Sequence, residues 1–257
     1  MGGQHTALTA IVTGASRGFG RAVAAALTTR GVSVVGVARG PDDLETARLE
    51  LGRRFIPVAG DATDAGLADE LLGRYQPRYV VLNAGAAPVM GPFTALSWED
   101  FSINWHTDTR QAFTWARALV EAPALNGRAV VMLGSGASLR GSPLSGGYAP
   151  AKAAIRFVCD YAAVEAARRG LGIRFFTLLP QLTPLTGLGE RGVAAYAEGS
   201  GGMTVMLERL RPHLTPARVG DTVVRLFAVP AGPTGLVTPS PEPGAYLLTG
   251  SALTKVP

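Results

Sequence analysis

Short apolar runs alternate with longer segments of helical periodicity from the start of the chain to about residue 229. Several of these runs are continuously apolar rather than alternating, which is typical of strands that are covered on both faces. The alternation of strand and helix predicts a parallel sheet with right-handed crossovers and with helices on both sides. The predicted strands are residues 8–13, 32–38, 55–59, 79–83, 128–133 and 173–179, with a seventh near residues 245–249.

Residues that favour helix ends lie at the borders of the helical segments. Gly31 and Gly52 follow the first two segments, and Asp64 is placed to cap the third. Thr215 and Pro216 favour the start of the last helix, as N-cap and first-turn residue. The predicted helices are residues 18–30, 42–51, one that begins after Asp64, 97–120, 148–169 and 215–229. No internal repeat or long linker is present, so we predict an α/β fold in a single domain, residues 1–257, with a doubly wound sheet of about seven parallel strands.

Two segments depart from this pattern. Residues 181–202 are rich in Gly and Thr, and residues 231–244 are rich in Pro. Long loops in compact domains often serve as lids or binding loops. We therefore expect a substrate lid at about residues 181–206, and a surface connection at residues 231–244.

Composition narrows the class of protein. Hydrophobic residues make up 47% and charged residues 17%, as in a globular protein with a large core. The net charge of +5 comes mainly from scattered arginines rather than from a basic stripe, which argues against a nucleic-acid partner. The pattern contains no signal peptide and no membrane span, so we expect a cytoplasmic protein with no membrane partner.

The single cysteine, Cys159, excludes an intrachain disulfide. No group of Cys and His residues has metal-ligand spacing, so we predict no metal site. Cys159 lies among apolar residues of a predicted helix, and we expect it to be buried as a small apolar group.

A glycine-rich turn lies between the first predicted strand and the first predicted helix, where residues 13–20 read Thr-Gly-Ala-Ser-Arg-Gly-Phe-Gly. Gly14 allows a tight turn, Gly18 removes a side chain that would block phosphates, and Gly20 lets the helix pack on the strand. The helix N-terminus adds N–H donors and a positive dipole. We therefore expect a dinucleotide cofactor here, in contact with Gly14, Ser16, Arg17, Gly18, Phe19 and Gly20.

The end of the second strand bears on which dinucleotide is bound. An NAD site usually has an acidic residue there to hold the ribose 2′-OH, whereas this chain has Arg39. Together with Arg17 in the glycine-rich turn, Arg39 is suited to bind a 2′-phosphate through charge-assisted hydrogen bonds. The sequence therefore favours NADP(H) over NAD.

Tyr148 and Lys152 form the third signal. A spacing of four residues puts both side chains on one face of a helix, so the ammonium favours the ionised phenol. Such a tyrosine is suited to general acid/base work. The spacing alone is common by chance and is also compatible with a structural role; its order in the chain, after Ser135 and the fifth strand, favours chemistry.

At these positions the chain resembles the short-chain dehydrogenase/reductase family, in its non-extended subgroup of about 250 residues. The resemblance extends over nearly the whole chain. The matching elements, in chain order, are the turn at residues 13–20, Asp61, Asn83-Ala84-Gly85, Asn104, Ser135, Tyr148, Lys152 and Pro180.

The resemblance implies a Rossmann fold and a role for each matching residue. Tyr148 is expected to donate a proton to a substrate carbonyl, or to accept one in alcohol oxidation. Ser135 is expected to stabilise the substrate oxygen, Lys152 to lower the tyrosine pKa and bind the nicotinamide ribose, and Asn104 to hold a relay water. The remaining cofactor contacts implied are Asp61 and Ala62 at the adenine, Asn83 and Gly85 along the fourth strand, and Tyr148 itself.

The expected function is therefore an NADP(H)-dependent oxidoreductase that interconverts a carbonyl and a secondary alcohol of a small-molecule substrate. The resemblance also implies a homo-oligomer, a tetramer or dimer, with residues 97–120 and 148–169 as interface helices. The family's usual glycine after Pro180 is Gln181 here. Because a fold does not guarantee a function, a non-catalytic dinucleotide-binding sensor or scaffold is the alternative.

Overall fold

The strands pair into one sheet, in the order β3-β2-β1-β4-β5-β6-β7-β8-β9. The computed structural model describes residues 8–122 and 127–229, and beyond them the backbone of three strands near the C-terminus. Strands β1 to β7 pair in parallel, and β8 and β9 add an antiparallel extension. The strands are β1 (Thr9–Thr13), β2 (Ser33–Ala38), β3 (Phe55–Ala59), β4 (Tyr79–Leu82), β5 (Ala129–Leu133), β6 (Arg174–Leu178), β7 (Gly235–Pro239), β8 (Ala245–Thr249) and β9 (Ala252–Val256).

Helices connect the parallel strands. They are α1 (Gly18–Thr28), α2 (Pro41–Leu51), α3 (Ala65–Tyr75), α4 (Trp98–Asn104), α5 (Arg110–Glu121), α6 (Ala137–Arg140), α7 (Tyr148–Arg168), α8 (Gly187–Ala197), α9 (Met203–Arg209) and α10 (Pro216–Ala228). A short 3-10 turn, Phe93–Ala95, precedes α4, and a π-helical turn, Trp105–Thr109, joins α4 to α5.

Two hydrophobic cores lie on opposite faces of the sheet. Successive strand residues face opposite sides, so Ala10 and Val12 of β1 belong to one core and Ile11 to the other. The first core includes buried residues of α1, α2 and α10, and the second those of α3, α5 and α7. Because both faces of the central strands are covered, their sequences are continuously apolar.

The first six predicted strands are confirmed to within one residue at each end. The predicted helix caps are confirmed as well. Asp64 Oδ1 accepts a hydrogen bond of 2.8 Å from the Gly66 backbone N–H at the start of α3. Thr215 Oγ1 likewise accepts a 3.2 Å hydrogen bond from the Arg218 N–H at the start of α10.

The helical segment predicted over residues 97–120 is confirmed as a continuous run from Trp98 to Glu121, but it is not a regular α-helix throughout. The π-helical turn Trp105–Thr109 separates α4 from α5. Within it, Thr107 Oγ1 donates a 2.8 Å hydrogen bond to the Ile103 carbonyl, a side-chain contact that competes with the regular backbone ladder. Turns of this kind are frequent at functional sites.

The C-terminal part also differs from the prediction. The lid segment, residues 181–206, contains α8 and the start of α9 rather than an irregular loop. The segment 231–244, predicted as a surface connection, contains β7, and the strand found at Ala245–Thr249 runs antiparallel to it. The parallel strands β1 to β6 were predicted correctly, and β7 pairs in parallel with β6 as a seventh. The antiparallel strands β8 and β9 extend the described sheet to nine strands.

In the strand order, β1 lies beside β4. The connections from β1 to β3 run towards one side of the sheet and those from β4 onwards run towards the other, so the order reverses between β1 and β4. In open α/β sheets, ligands bind at this switch point, outside the carboxyl ends of the strands. The segments that follow β1 to β6 meet at that edge, and all of the predicted site residues lie there or on helices packed against it.

Candidate active site

The glycine-rich turn after β1 is folded so that only glycine fits. Gly14 and Gly18 have φ angles of +64° and +56°, which side-chain-bearing residues rarely adopt. A Cβ on Gly20 would overlap the Gly14 carbonyl oxygen, so α1 starts in direct contact with the turn. A Cβ on Gly18 would meet only a methyl group of Thr186, at 4.0 Å, which leaves open space in front of the turn.

Asn83, the residue after β4, holds this turn in place through hydrogen bonds. Its Nδ2 donates to the carbonyl oxygens of Thr13 and Gly14, at 3.0 and 3.1 Å. Thr13 Oγ1 in turn accepts hydrogen bonds from the backbone N–H groups of Asn83 and Ala84, at 2.9 and 3.1 Å. The side-chain amide of Asn83 is thus committed to the turn, and its expected contact with a cofactor stays a prediction.

Gln111 of α5 also forms hydrogen bonds to the residues that hold this turn. Sequence reasoning missed it. Its Nε2 donates a 2.7 Å hydrogen bond to the Ala84 carbonyl, and its Oε1 accepts one from the Thr13 hydroxyl. The side chain is buried. A buried glutamine within an otherwise apolar helix face is the only sequence signal that could have indicated this contact.

Arg17 and Arg39 lie exposed at the ends of β1 and β2. Among the residues that the structure describes, neither guanidinium belongs to an ion pair. Asp61, after β3, accepts a backbone hydrogen bond from Thr63 that holds its pKa below the usual value, and the charges of Arg39 and Arg110 lower it further. These contacts place Arg39 near Asp61 at the mouth of the crevice.

Ala62 is fixed next to Asp61 by a core residue. Trp115 of α5 is fully buried, and its indole Nε1 donates a 2.9 Å hydrogen bond to the Ala62 carbonyl. The segment expected to contact an adenine is therefore anchored to the core beneath β4.

Tyr148 and Lys152 lie together in the first turns of α7, as their spacing predicted. The Lys152 ammonium is 5.6 Å from the centroid of the Tyr148 ring. It also donates a 3.1 Å hydrogen bond to the carbonyl oxygen of Leu133, the last residue of β5. This bond fixes Lys152 at the carboxyl end of the sheet, two residues before Ser135.

A carboxylate that the sequence analysis did not select lies against this lysine. Asp108 Oδ2, from the π-helical turn, is 3.1 Å from Lys152 Nζ, and the two side chains are 1% and 7% exposed. Burial disfavours the charged ammonium, but the charge of Asp108, then that of Tyr148, and the hydrogen bond to Asp108 together raise the pKa of Lys152 above its usual value.

Asn104, the last residue of α4, is fully buried beside this pair. Its Nδ2 donates a 2.8 Å hydrogen bond to the Ala86 carbonyl and lies 3.4 Å from Asp108 Oδ1. Its Oδ1 has no hydrogen-bond partner within the described part of the chain. A buried oxygen of this kind is suited to accept a hydrogen bond from a water molecule.

Ser135 follows β5 and Gly147 precedes α7, and together they shape the segment around Tyr148. Ser135 Oγ accepts a 3.2 Å hydrogen bond from the Ala137 N–H, which leaves its hydroxyl proton available to another acceptor.

A Cβ on Gly147 would overlap the Phe101 carbonyl oxygen, so α7 can start this close to α4 only at a glycine. Gly147 is a second residue that sequence reasoning missed.

The structure thus defines a class: a doubly wound dinucleotide-binding type of sheet, with a tyrosine–lysine pair beside its switch point. The comparison with known families agrees, because the family model for short chain dehydrogenases matches residues 8–195. The chain belongs to the short-chain dehydrogenase family, whose members are oxidoreductases.

Relatives extend this similarity over most of the chain. A short chain dehydrogenase of Pseudocercospora fijiensis is 30% identical over 233 residues, which is 86% of this chain and 72% of that protein. The L-xylulose reductase of Bos taurus is 27% identical over 249 residues, 93% of this chain and 96% of that protein. The fold is similar to that of a crystal structure of NAD+-bound xylitol dehydrogenase, with a TM-score of 0.79 and 20% identity, covering 89% of this chain and 95% of that one.

The described residues contain no group of three or more His, Cys, Asp or Glu side chains arranged to hold a metal ion. Within the same ranges, no helix is both long and apolar enough to cross a membrane.

Proposed function

We propose that this chain is an NADP(H)-dependent oxidoreductase that interconverts a carbonyl and a secondary alcohol, with Tyr148 as the general acid/base. The observation that carries the proposal is the buried ammonium of Lys152 held 5.6 Å from the centroid of the Tyr148 ring. A fixed cation at this distance stabilises the phenolate relative to the phenol. A tyrosine that can give up a proton and take it back is what alcohol oxidation and carbonyl reduction both need.

Each residue around Tyr148 has a separate role in the proposed reaction. In reduction, Tyr148 gives its hydroxyl proton to the substrate oxygen, and in oxidation it takes that proton back. Ser135 donates its hydroxyl proton as a hydrogen bond to the same oxygen and stabilises the charge that develops there. Asn104 holds, through its unpartnered Oδ1, a water that connects Lys152 to solvent. The dinucleotide, when bound, supplies or takes up the hydride.

The carboxyl-end crevice fits a dinucleotide. The open space in front of Gly18 and the α1 N-terminus suit a pyrophosphate, in contact with Gly14, Ser16, Phe19 and Gly20. Asp61, Ala62, Asn83 and Gly85 are the further cofactor contacts that belong to the proposal. Arg17 and Arg39 are exposed and make no ion pair with a described residue, so both remain able to bind a 2′-phosphate.

A titration of the purified protein with NADPH and with NADH, followed by fluorescence, tests the cofactor. We expect NADPH to bind more tightly, and Arg39→Ala to weaken NADPH binding about tenfold or more, since hydrogen bonds to charged groups contribute roughly 1.5–3 kcal/mol. Binding of NADH should change little. The matched control is Arg53→Ala, because Arg53 is an exposed arginine that precedes β3, at the amino ends of the strands.

The outcomes separate the alternatives. Tighter binding of NADH would contradict the assignment of Arg17 and Arg39. Binding of either dinucleotide without turnover on a panel of carbonyls and alcohols would favour the sensor or scaffold. No binding of either would contradict the proposal as a whole.

The lid at residues 181–206 is proposed as the cover of the substrate pocket. Tyr196 of α8 connects it to the segment before α7: its hydroxyl is 2.6 Å from Ser142 Oγ and accepts a 3.1 Å hydrogen bond from the Leu144 N–H. Leu182, Leu185 and Leu188 remain partly exposed on this segment, which favours a substrate with an apolar part.

The homo-oligomer is proposed from the surface of α5 and α7, which pack against each other. Phe113 on α5 and Phe157, Tyr161 and Val164 on α7 are all more than half exposed. Apolar side chains clustered on adjacent helices are typical of a subunit interface. Light scattering of the purified protein tests it, and a monodisperse monomer would contradict the proposal.

A further inference from the structure

Asp108 is a carboxylate that the function described so far does not use, although it is one of the most deeply buried charges among the described residues. Its side chain is 1% exposed and lies in the π-helical turn between α4 and α5. A charged carboxylate is rarely buried to this extent unless its oxygens are fully paired. Its contacts therefore indicate what it is there to hold.

Each Asp108 oxygen has a donor. Oδ1 accepts a hydrogen bond of 2.8 Å from the Ala86 backbone N–H. It also lies 2.9 Å from Thr107 Oγ1, whose single hydroxyl proton is shared with the Ile103 carbonyl. Oδ2 is 3.1 Å from the Lys152 ammonium. The Asn104 amide lies 3.4 and 3.5 Å from the two oxygens. These donors hold the carboxylate in one orientation.

The backbone around the carboxylate is built to admit it. A Cβ on Gly85 would lie 2.8 Å from Asp108 Oδ2 and 2.9 Å from Oδ1, so the chain after β4 can pass this close only at a glycine. The π-helical turn itself widens the helix at the position from which Asp108 reaches Lys152. Two local departures from regular structure thus meet at one ion pair.

Lys152 needs such a partner. Its side chain is 7% exposed, and desolvation at that depth strongly favours the neutral amine. The groups that act on the ammonium are Asp108 from the π-helical turn, Tyr148 from its own helix, and the neutral carbonyl of Leu133 from β5. Asp108 is the carboxylate among them, and its Oδ2 is 3.1 Å from Lys152 Nζ, whereas the centroid of the Tyr148 ring is 5.6 Å away.

We propose that Asp108 is a positioning residue for catalysis: it keeps Lys152 protonated and fixes its ammonium between β5 and the Tyr148 ring. The inference rests on the proposed function of Tyr148. Asp108 and Leu133 occupy two of the three ammonium N–H donors, which leaves the third to point at a ligand in the crevice. Asp108 therefore determines both the charge and the direction of the group that assists Tyr148.

The sequence makes a direct test possible, because the chain has only two lysines, Lys152 and Lys255. In protein labelled with ¹³C at the lysine ε-carbon, NMR should give two signals, and Lys255→Arg assigns them. Titration with pH then reports the Lys152 pKa in the free protein. We expect Lys152 to stay protonated beyond the usual lysine range in the wild type. In Asp108→Asn we expect its pKa to fall by about one unit or more, a tenfold change in proton affinity.

The control is Asp160→Asn, an exposed acid on α7 that does not act on Lys152, which should leave the Lys152 signal unchanged. Gly85→Ala is a second route to the same perturbation: its methyl group displaces the Asp108 carboxylate, and the Lys152 pKa should fall without removal of the acid. An unchanged Lys152 pKa in folded Asp108→Asn would overturn the proposal. If that variant does not fold, the Gly85→Ala titration decides it by the same criterion.

Activity provides a second readout. Turnover of Asp108→Asn relative to wild type should fall progressively as the pH rises through the lowered pKa of Lys152, because Lys152 loses its charge in the variant before it does in the wild type. A loss that is the same at every pH would indicate a merely structural role and would contradict the proposal. Because the NMR titration needs no cofactor or substrate, it remains decisive if the proposed oxidoreductase activity fails.

Discussion

The two sides of the carboxyl-end crevice differ in the exposure of their charged side chains. The phosphate side, formed by the segments after β1, β2 and β3, presents Arg17 and Arg39 to solvent. The proton side, formed by the segments after β4 and β5, the π-helical turn and the start of α7, buries Lys152 against Asp108. The first side keeps its cations available, and the second fixes its cation in place.

The difference follows from what each side is proposed to do. Exposed arginines cost little to keep charged and can reach a phosphate that arrives from solvent. A buried ammonium acts strongly on a neighbouring phenol, because fewer water molecules screen it. That strength carries a desolvation cost, which only a well-placed counter-ion offsets. In the proposed function, cofactor binding therefore relies on accessible groups, and proton transfer relies on groups that the fold immobilises.

Tyr148→Phe should separate the two sides most sharply. Removal of the hydroxyl takes away the proton that the substrate oxygen needs, and general acid/base groups typically contribute about 10²–10⁴-fold to the rate. We expect turnover to fall by that factor, while NADPH affinity, measured by fluorescence titration, stays within a few-fold of wild type. Tyr161→Phe, an exposed tyrosine on the same helix, is the control. Turnover that survives Tyr148→Phe would contradict the role given to Tyr148.

Gly20→Ala should damage the phosphate side through packing rather than charge. The added methyl group overlaps the Gly14 carbonyl oxygen, so the turn and α1 must move apart. Overpacking of this kind typically costs about 1–3 kcal/mol of the free energy of unfolding, which denaturant titration measures. NADPH binding should weaken in the same variant.

The control is Gly73→Ala in α3, where a Cβ meets no atom within 4 Å. There the substitution should stabilise the protein by roughly 0.5–1 kcal/mol, because alanine favours the helix. A Gly20→Ala protein as stable as the wild type would show that the turn can open at little cost.

Tyr196→Phe should have the smallest effect, because it changes neither side of the crevice but only the cover. It removes the hydrogen bonds from α8 to Ser142 and Leu144, and one such bond contributes about 1 kcal/mol. With a substrate identified, we expect KM to rise a few-fold. Tyr75→Phe, on α3 away from the lid, should leave KM unchanged. If KM does not respond to Tyr196→Phe, the connection to Ser142 does not hold the lid closed.

The strands, the helix caps and the glycine-rich turn were predicted from sequence because each depends on residues that are close in the chain. Continuous apolar runs marked the buried strands, and the spacing of Tyr148 and Lys152 put both on one face of α7. The burial of Cys159 was predicted in the same way; burial raises the pKa of its thiol to about 12.

Other features depend on segments that meet only in the folded chain. The Thr13 hydroxyl bonds Gln111, 98 residues away, and Gly147 is needed only because α4 passes against the start of α7. The β7 strand was hidden by the prolines around it, which predict turns. In each case the local pattern is neutral or misleading, because the partner that gives the residue its role is distant in sequence.

The sequence by itself thus determined the sheet, its helical layers, the glycine-rich turn and the tyrosine–lysine pair. Only the tertiary structure decided that Asp108 forms an ion pair with Lys152 and that Asp108 lies in a π-helical turn. A buried charge is stable only when its counter-ion and hydrogen-bond donors converge from several elements, and that convergence is a property of packing, which no local pattern encodes.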